Sequence, residues 1–507
     1  MKHATAQFHH CPLPTADCPL LFPHCPMPTA HCPMPTAHCP PPTAHCRLPT
    51  ADCSSPTAHC PLPTAHSFHI LTLGCKVNQC ESEQIAASIE ALGLRRIQDG
   101  ERPDICIVNT CAVTGRAAMQ CRQAIRHLSA LHPGIRVIVT GCYATTEPNV
   151  LSGLPGVVRV IGNDRKADTA TVVAEVLALD AAAIRRDASL RTTDTGPLPE
   201  AASAVHRTRP FLKIQDGCES FCTYCIVPYA RGKSRSVPAE DVLRALSAYE
   251  AAGFREVVLT GIHIGRYGLD LSPRLDIHDL LVRILEQRFS MRIRLSSIEP
   301  TELTEAIVDL IAQSEGRLCP HVHIPLQSGD DGILRVMNRP YSARHFADVV
   351  QRVRSRIPDA AIGSDVLVGF PGETAEAFSN TRSLIESLPL TYLHVFPFSP
   401  RPGTAAFQLP NRVDPDIVKS RCSVLRAIGR GKKAAFAATL LGTTTTVLIE
   451  SKTDPTTGWS LGLSPHYQRV AIEGCFGLPE NRLVEVRIVA AEGDRLVGRP
   501  VRKPDTI

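Results

Sequence analysis

FLKIQDGCESFCTYCIVPYARG, residues 211–232, runs a short apolar segment into three cysteines spaced C-x3-C-x2-C: Cys218, Cys222 and Cys225. The segment ends at Asp216-Gly217, which reads as a strand passing into a loop. Further apolar runs follow at EVVLTGI (256–262), RIRLSSI (292–298), HVHIPLQ (321–327), AIGSDVLVGF (361–370) and TYLHVFPF (391–398). Helical patterns separate most of them, among them PAEDVLRALSAYEAAG (238–253), SARHFADVVQRVRSRI (342–357) and TAEAFSNTRSLIESL (374–388). Six strand-helix units of this length predict an open, partial (β/α)6 barrel. On such a fold the site lies at the carboxyl ends of the strands, and the cysteine loop follows the first of them.

Upstream, the same alternation gives a second α/β unit. FHILTLGC (68–75), DICIVNTC (104–111) and IRVIVTGC (135–142) are short apolar runs, the first two followed by helical stretches and the third by a turn-rich segment. This is the signature of a three-layer domain with a parallel sheet. Cys75, Cys111 and Cys142 each stand at the carboxyl end of a predicted strand, where an open α/β sheet gathers its ligands. Cys106 falls inside a strand, while Cys80 and Cys121 fall on helices. Three cysteines should converge and three should scatter. Buried packing cysteines, zinc with a fourth His or Asp ligand, and an iron–sulfur cluster with one open iron all remain compatible with the first three. At the second site no additional C-x2-C pair is present to close a zinc centre.

The remaining segments frame these two units. Across residues 1–66 a cysteine recurs every seventh position from Cys11 to Cys60 in units resembling HCPMPTA. One or two prolines per unit exclude a coiled coil. The tract reads as a low-complexity, disordered extension, or as a translated tandem repeat upstream of a true start near Ser67, rather than as a metal-binding tail. Residues 181–210 lack a sustained period and read as a linker. After residue 440 short strands bounded by glycine, TTTTVLIES, WSLGLS, YQRVAIEG and RLVEVRIVAAEGDRLVGR, predict a small β-barrel. The expected domains are 1–66, 67–195, 196–412, a helical connector at 413–439, and 440–500.

The net charge of +5 permits a nucleic-acid partner without demanding one. The clustered cations of RAIGRGKKAAF (426–436) could neutralise phosphates, although a solvated helix face fits them nearly as well. No dense aromatic platform is visible, which suits a folded RNA better than non-specific single strands. No apolar run reaches the roughly 18 residues of a membrane span, and no secretory signal is evident, so a cytoplasmic location without a membrane partner is expected.

The C-x3-C-x2-C motif behind the first strand of a partial barrel resembles the radical S-adenosylmethionine superfamily. Together with a second three-cysteine site on an α/β domain, it resembles the methylthiotransferases over roughly residues 67–500. The stretches TLGCKVNQ (72–79), VNTCAVTG (108–115), VTGCYA (139–144), DGCESFCTYCIVPYARGKSRS (216–236) and LTGIHIGRYG (259–268) look most like the branch acting on threonylcarbamoyladenosine in tRNA. Cys80 departs from that pattern, and the heptapeptide tract has no counterpart in it. The resemblance implies two 4Fe-4S clusters: an auxiliary one on Cys75, Cys111 and Cys142, and one on Cys218, Cys222 and Cys225 that binds and cleaves S-adenosylmethionine. It also implies that Thr260 and Gly261 contact the cosubstrate and that the last domain is a TRAM-like RNA module. The reaction would convert N6-threonylcarbamoyladenosine at position 37, in the tRNA anticodon loop, to its 2-methylthio form. A one-electron donor such as a flavodoxin or ferredoxin would drive it. The rivals are an isopentenyladenosine tRNA or a ribosomal protein as substrate and, in another class, a non-catalytic iron–sulfur RNA-binding protein.

Overall fold

The computed structural model describes residues 66–97, 100–179, 207–493 and 495–502. The heptapeptide tract and most of the expected linker lie outside the described residues.

The first sheet is parallel, in the order β2-β1-β3-β4-β5. Its strands are β1 (Ser67–Thr72), β2 (Arg95–Arg96), β3 (Ile105–Thr110), β4 (Arg136–Gly141) and β5 (Val157–Ile161). All six residues of β3 are buried, as expected of a central strand covered on both faces. Its side chains alternate between two cores. Cys106 and Val108 pack with Ala118, Cys121 and Ile125 of helix α2 (Gly115–Leu131). Ile105 and Ile107 pack with Ile85 and Ile89 of helix α1 (Lys76–Glu90) on the other side. The three layers expected from the sequence are present. The turn-rich stretch after Cys142 differs from expectation, since it forms the short helix α3 (Cys142–Thr146) and supplies the fifth strand.

Next come β6 (Phe211–Asp216), β7 (Arg235–Ser236), β8 (Glu256–Gly261), β9 (Arg292–Leu295), β10 (His321–His323), β11 (Ala361–Val368) and β12 (Tyr392–Pro397). They pair as β7-β6-β8-β9 and β10-β11-β12, and a bridge between Ile293 and Leu318 carries the sheet across the junction. The six expected strands are β6, β8, β9, β10, β11 and β12, and their pairings are parallel. The added strand β7 runs antiparallel to β6, and two residues are too few to leave a period in the sequence. Strand alternation sorts the barrel wall by polarity. Val257, Leu259, Ile293, Leu295, Val322, Val366 and Val395 join the core beneath the helices. Their neighbours Glu256, Arg292, Arg294, His321, His323, Asp365 and His394 take the opposite, inner face.

That polar lining is largely paired within itself, His321 Nδ1 being a buried exception. The carboxylate of buried Glu256 accepts from Arg292 Nε at 2.5 Å and from Arg294 Nε at 2.7 Å. Burial disfavours its charge, but the two guanidiniums outweigh that and hold its pKa down at about 2. The arginines then donate onward to backbone carbonyls of the last domain, Arg292 to Leu463 (2.9 Å) and Arg294 to Pro465 (2.8 Å). That domain is a closed barrel in the order β13-β14-β15-β17-β16. It contains β13 (Thr444–Thr453), β14 (Ser460–Leu463), β15 (Arg469–Ile472), β16 (Leu483–Glu492) and β17 (Arg495–Pro500), reached through the helix Pro415–Thr439. Its interior is Val447, Ile449, Val470, Ile472, Val486, Ile488 and Leu496. No helix among the described residues is long and apolar enough to cross a membrane.

Candidate active site

Two groups of three cysteines lie at the carboxyl ends of strands, one on each of the first two sheets. In the first sheet, β1, β3 and β4 are neighbours, and each passes directly into a loop or helix bearing Cys75, Cys111 or Cys142. Two of the three follow a glycine in the left-handed region, Gly74 at φ +112° and Gly141 at φ +100°. A Cβ on Gly74 would lie 2.8 Å from Cys111 Cβ and 3.1 Å from its Sγ. One on Gly141 would lie 2.4 Å from the Thr110 carbonyl. Both glycines therefore serve close approach as well as the turn. Cys75 also occupies the N-cap of α1 without capping it, at a position where Ser, Thr or Asp would add stability. Local stability has been given up there for a thiol.

The other three cysteines of this domain divide differently from the expected scatter. Cys106 is a core residue of β3. Cys80 directs its thiol to the Phe211 carbonyl at 3.3 Å, and burial pushes its pKa up to about 12. Cys121, two turns into α2, lies beside the first group: its sulfur accepts from the Cys111 amide at 3.4 Å. This corrects the expectation that it would stand apart, and the cause is that α2 begins only four residues after Cys111, so the buried face of its first two turns still lies beside the end of β3.

The second group lies in the loop after β6. Gly217, at φ +74°, begins that loop, and a Cβ there would stand 1.9 Å from the Lys233 carbonyl. The Cys218 amide donates to Gly232 O (3.0 Å) and the Cys225 amide to Cys222 O (2.9 Å), which folds the three thiols into one turn. Each thiol has a different setting. His263 Nδ1 approaches Cys218 Sγ at 3.5 Å, and the Ser220 amide donates to it at the same distance. Burial opposes ionisation of Cys218, yet the contacts with His263 and Ser220 hold its pKa below the usual thiol value. Arg339 Nη1 donates to Cys222 Sγ at 3.2 Å, and its other nitrogen pairs with Glu299. Cys225 has no such cation in contact among the described residues, and burial raises its pKa to about 12. His263 in turn holds Glu302 at 2.8 Å. Burial lowers the imidazole pKa, but the bonds to Cys218 and Glu302 prevail and raise it to about 9.

A buried charge network ties the two groups together. Arg231, in the turn of helix after the cysteine loop, donates to Glu81 of α1 and to Asp216 at the end of β6, each at 2.8 Å, and to Asn78 Oδ1 at 2.6 Å. Glu81 also accepts from Lys166 (2.5 Å) and Lys213 (3.3 Å). Three buried cations thus face two carboxylates, and Arg235 stands 3.8 Å from Asp216 at the edge of the network. Burial opposes the charge on Glu81, but the cations dominate and hold its pKa well below the carboxylate range. The excess positive charge lies between the two sets of thiols, where it favours anionic, thiolate-ligated groups.

Thr260 and Gly261 close β8 next to this loop. A Cβ on Gly261 would meet the Gln215 carbonyl at 2.9 Å, and the Gln215 side chain accepts from the His263 amide at 2.7 Å. Sequence reading missed His263, Glu299, Glu302 and Arg339 as neighbours of the thiols, and Glu81 and Arg231 as the link between them. One signal was available, since His263 lies just beyond the Thr260-Gly261 strand end. The described cysteines are free thiols, and in neither group does a closed zinc set of four ligands form from the contacts seen. Three thiols at each site, with polar N–H donors around the sulfurs and positive charge between them, fit a cubane cluster held by three ligands.

Comparison with known proteins agrees with this geometry. The Radical SAM superfamily matches residues 212–385, and Uncharacterized protein family UPF0004 matches residues 67–162. A Chlamydia pneumoniae protein named threonylcarbamoyladenosine tRNA methylthiotransferase MtaB is 34% identical, over 86% of this chain and 98% of its own. A Syntrophobacter fumaroxidans protein named tRNA-2-methylthio-N(6)-dimethylallyladenosine synthase is 32% identical, over 86% of this chain and 96% of its own. Among solved structures, the radical S-adenosylmethionine methyltransferase TsrM of Kitasatospora setae superposes with a TM-score of 0.50, over 68% of this chain and 77% of its own. At 16% identity that likeness concerns the fold. Given relatives of this identity that are matched over nearly their whole length, the chain belongs to the radical S-adenosylmethionine methylthiotransferase family.

Proposed function

We propose that the protein converts N6-threonylcarbamoyladenosine at position 37 of tRNA to its 2-methylthio derivative. The observation that carries this reading is the pair of three-thiol sites on adjoining sheets, bridged by Arg231 and Glu81. Relatives named for that nucleoside support the choice of substrate. Relatives named for the dimethylallyl nucleoside favour the alternative base.

In this reading Cys75, Cys111 and Cys142 hold the auxiliary cluster, and Cys218, Cys222 and Cys225 hold the cluster that binds S-adenosylmethionine. When bound, these groups supply one-electron cleavage of the sulfonium and the sulfur that is transferred, chemistry beyond any side chain. The protein supplies position and polarity. Ser220 and His263 orient Cys218, and Arg339 places a positive charge against Cys222 that offsets part of the burial raising its thiol pKa. Thr260 and Gly261 offer backbone groups to the cosubstrate at the end of β8, where the absence of a Cβ on Gly261 leaves room for the Ile264 and Gln215 side chains. The closed β-barrel contacts the RNA, and the anticodon loop suits the site because its bases can be splayed outward. A flavodoxin or ferredoxin in the cytoplasm would provide the electron.

The test is anaerobic reconstitution with iron and sulfide counted per chain, followed by reaction with tRNA and nucleoside analysis. About eight of each is expected for two clusters, with 2-methylthio-threonylcarbamoyladenosine as product. Failure to form deoxyadenosine on reduction with S-adenosylmethionine would identify a non-catalytic protein instead.

A further inference from the structure

Lys76 directly follows Cys75 and is the first residue of α1. Its side chain turns towards β6, placing the ammonium 6.0 Å from the centre of the Phe211 ring. It is half-buried, yet among the described residues no carboxylate lies within ion-pairing distance of it. Burial makes this costly before anything else, Arg209 and Arg294 add repulsion, and Asp365 is the one carboxylate near enough to attract it. Asp365 is already engaged, since its Oδ1 faces His323 Nε2 at 2.9 Å and His394 Nδ1 at 3.2 Å. Arg294 is answered by Glu256, and Arg209 by Glu450 at 2.8 Å. Lys76 is left as a cation without a counter-charge beside the inner face of the barrel.

That region is also built to receive a polar group. A cavity of about 400 Å³ opens between β12 and the last barrel, lined in part by Arg209, Tyr392, His394 and Tyr467. The Tyr392 hydroxyl is shared by His321 Nε2 (2.8 Å) and His323 Nδ1 (3.0 Å), and Tyr467 stacks on His321 with centroids 4.6 Å apart. The spacing of His323, Asp365 and His394 would suit a divalent cation. The repelling charges of Lys76 and Arg294 set the preference towards an anion instead.

Resting on the tRNA reading above, we infer that Lys76 is the specificity residue that binds the terminal carboxylate of the threonylcarbamoyl arm. In the adenine ring the N6 arm leaves on the other side of N1 from C2. A base presented with C2 towards the cysteines therefore carries its arm away from them. Lys76 extends in the same sense, from the cysteine-bearing strand end towards the interior wall. A dimethylallyl arm has no charge to offer there, so Lys76 reads the one feature that separates the two nucleosides.

The test uses the reconstituted enzyme and one tRNA in three forms: carrying threonylcarbamoyladenosine, its neutral methyl ester, or unmodified adenosine. The wild-type protein should bind the acid form about tenfold or more tightly than the other two, the scale of a partly desolvated charge-assisted contact. Lys76→Met should abolish that preference by raising KM for the acid form, with affinity for the unmodified tRNA and iron content retained. Lys76→Arg should restore most of it. Equal wild-type affinity for acid and ester, or a preference that survives Lys76→Met, overturns the inference. The ester comparison needs no variant and so stands even if a substitution disturbs the neighbouring cysteine. Absence of methylthio product from wild-type enzyme on the acid form would instead sink the functional reading itself.

Discussion

The two cysteine groups bring three thiols together by opposite constructions. Cys218, Cys222 and Cys225 come from one loop of eight residues, held by its own backbone bonds and by Gly217. Cys75, Cys111 and Cys142 come from three strands, so their convergence is a property of the parallel sheet and of its register. A loop can be altered without disturbing the sheet, whereas any slip of β1, β3 or β4 would move one thiol relative to the others. The loop group is half-exposed, while Cys111 and Cys142 are buried. This difference predicts how each site fails.

The largest effect should come from the loop. Cys222→Ala is expected to abolish both deoxyadenosine formation and methylthio product, with iron falling from about eight to about four per chain. Cys111→Ala should remove the same amount of iron and all methylthio product, yet leave reductive cleavage of S-adenosylmethionine measurable. If both variants lose cleavage equally, the sites do not act separately and the comparison breaks.

Glu81→Gln probes the link between them. The change leaves Lys166 without a carboxylate partner, and Lys213 and Arg231 with Asp216 alone, in a buried setting. Removing one partner of a buried ion pair typically costs about 3–5 kcal/mol, so a marked fall in melting temperature is expected. The pH dependence follows from the same residue. Because its folded pKa lies below the ordinary carboxylate value, its contribution is present above that value and is lost as pH falls through the depressed one. Scanning calorimetry of wild type and variant should therefore converge at acid pH. Curves that stay parallel would show that Glu81 does not carry the effect.

The same contrast explains what was legible in the sequence. The loop group announces itself, because three cysteines within eight residues form a local pattern. The sheet group was readable only through its frame, three apolar runs each ending at a cysteine, two of them through Gly-Cys. Partners at long range left no such trace. Arg339 lies 117 residues from Cys222, and Arg231 lies 150 from Glu81. Nothing in their immediate surroundings sets these arginines apart from those that pair on the surface. The ring cluster was invisible for a related reason: His321, His323, Tyr392, His394 and Tyr467 come from two β-strands and a turn of another domain. Strand alternation does place the four barrel residues on the inner face, but it gives no sign of Tyr467. Proline in the repeat excluded a coiled coil, but the tract itself falls outside the described residues.

Cys80 gives the smallest and most selective test. It lies one helical turn beyond Lys76 and five residues past Cys75, close enough in sequence to be mistaken for a ligand. Its thiol is buried, bonded to the Phe211 carbonyl and held protonated by burial, which is the setting of a packing cysteine. A ligand would have to give up that bond and ionise. Cys80→Ala should therefore leave iron and sulfide at the wild-type count and leave methylthio transfer intact. Losing one buried sulfur and a weak hydrogen bond should lower stability by only about 1 kcal/mol. Loss of about four iron atoms per chain in this variant would mean that the sheet group draws on the helix as well as on the strand ends. Its construction would then be less distinct from that of the loop than the geometry indicates.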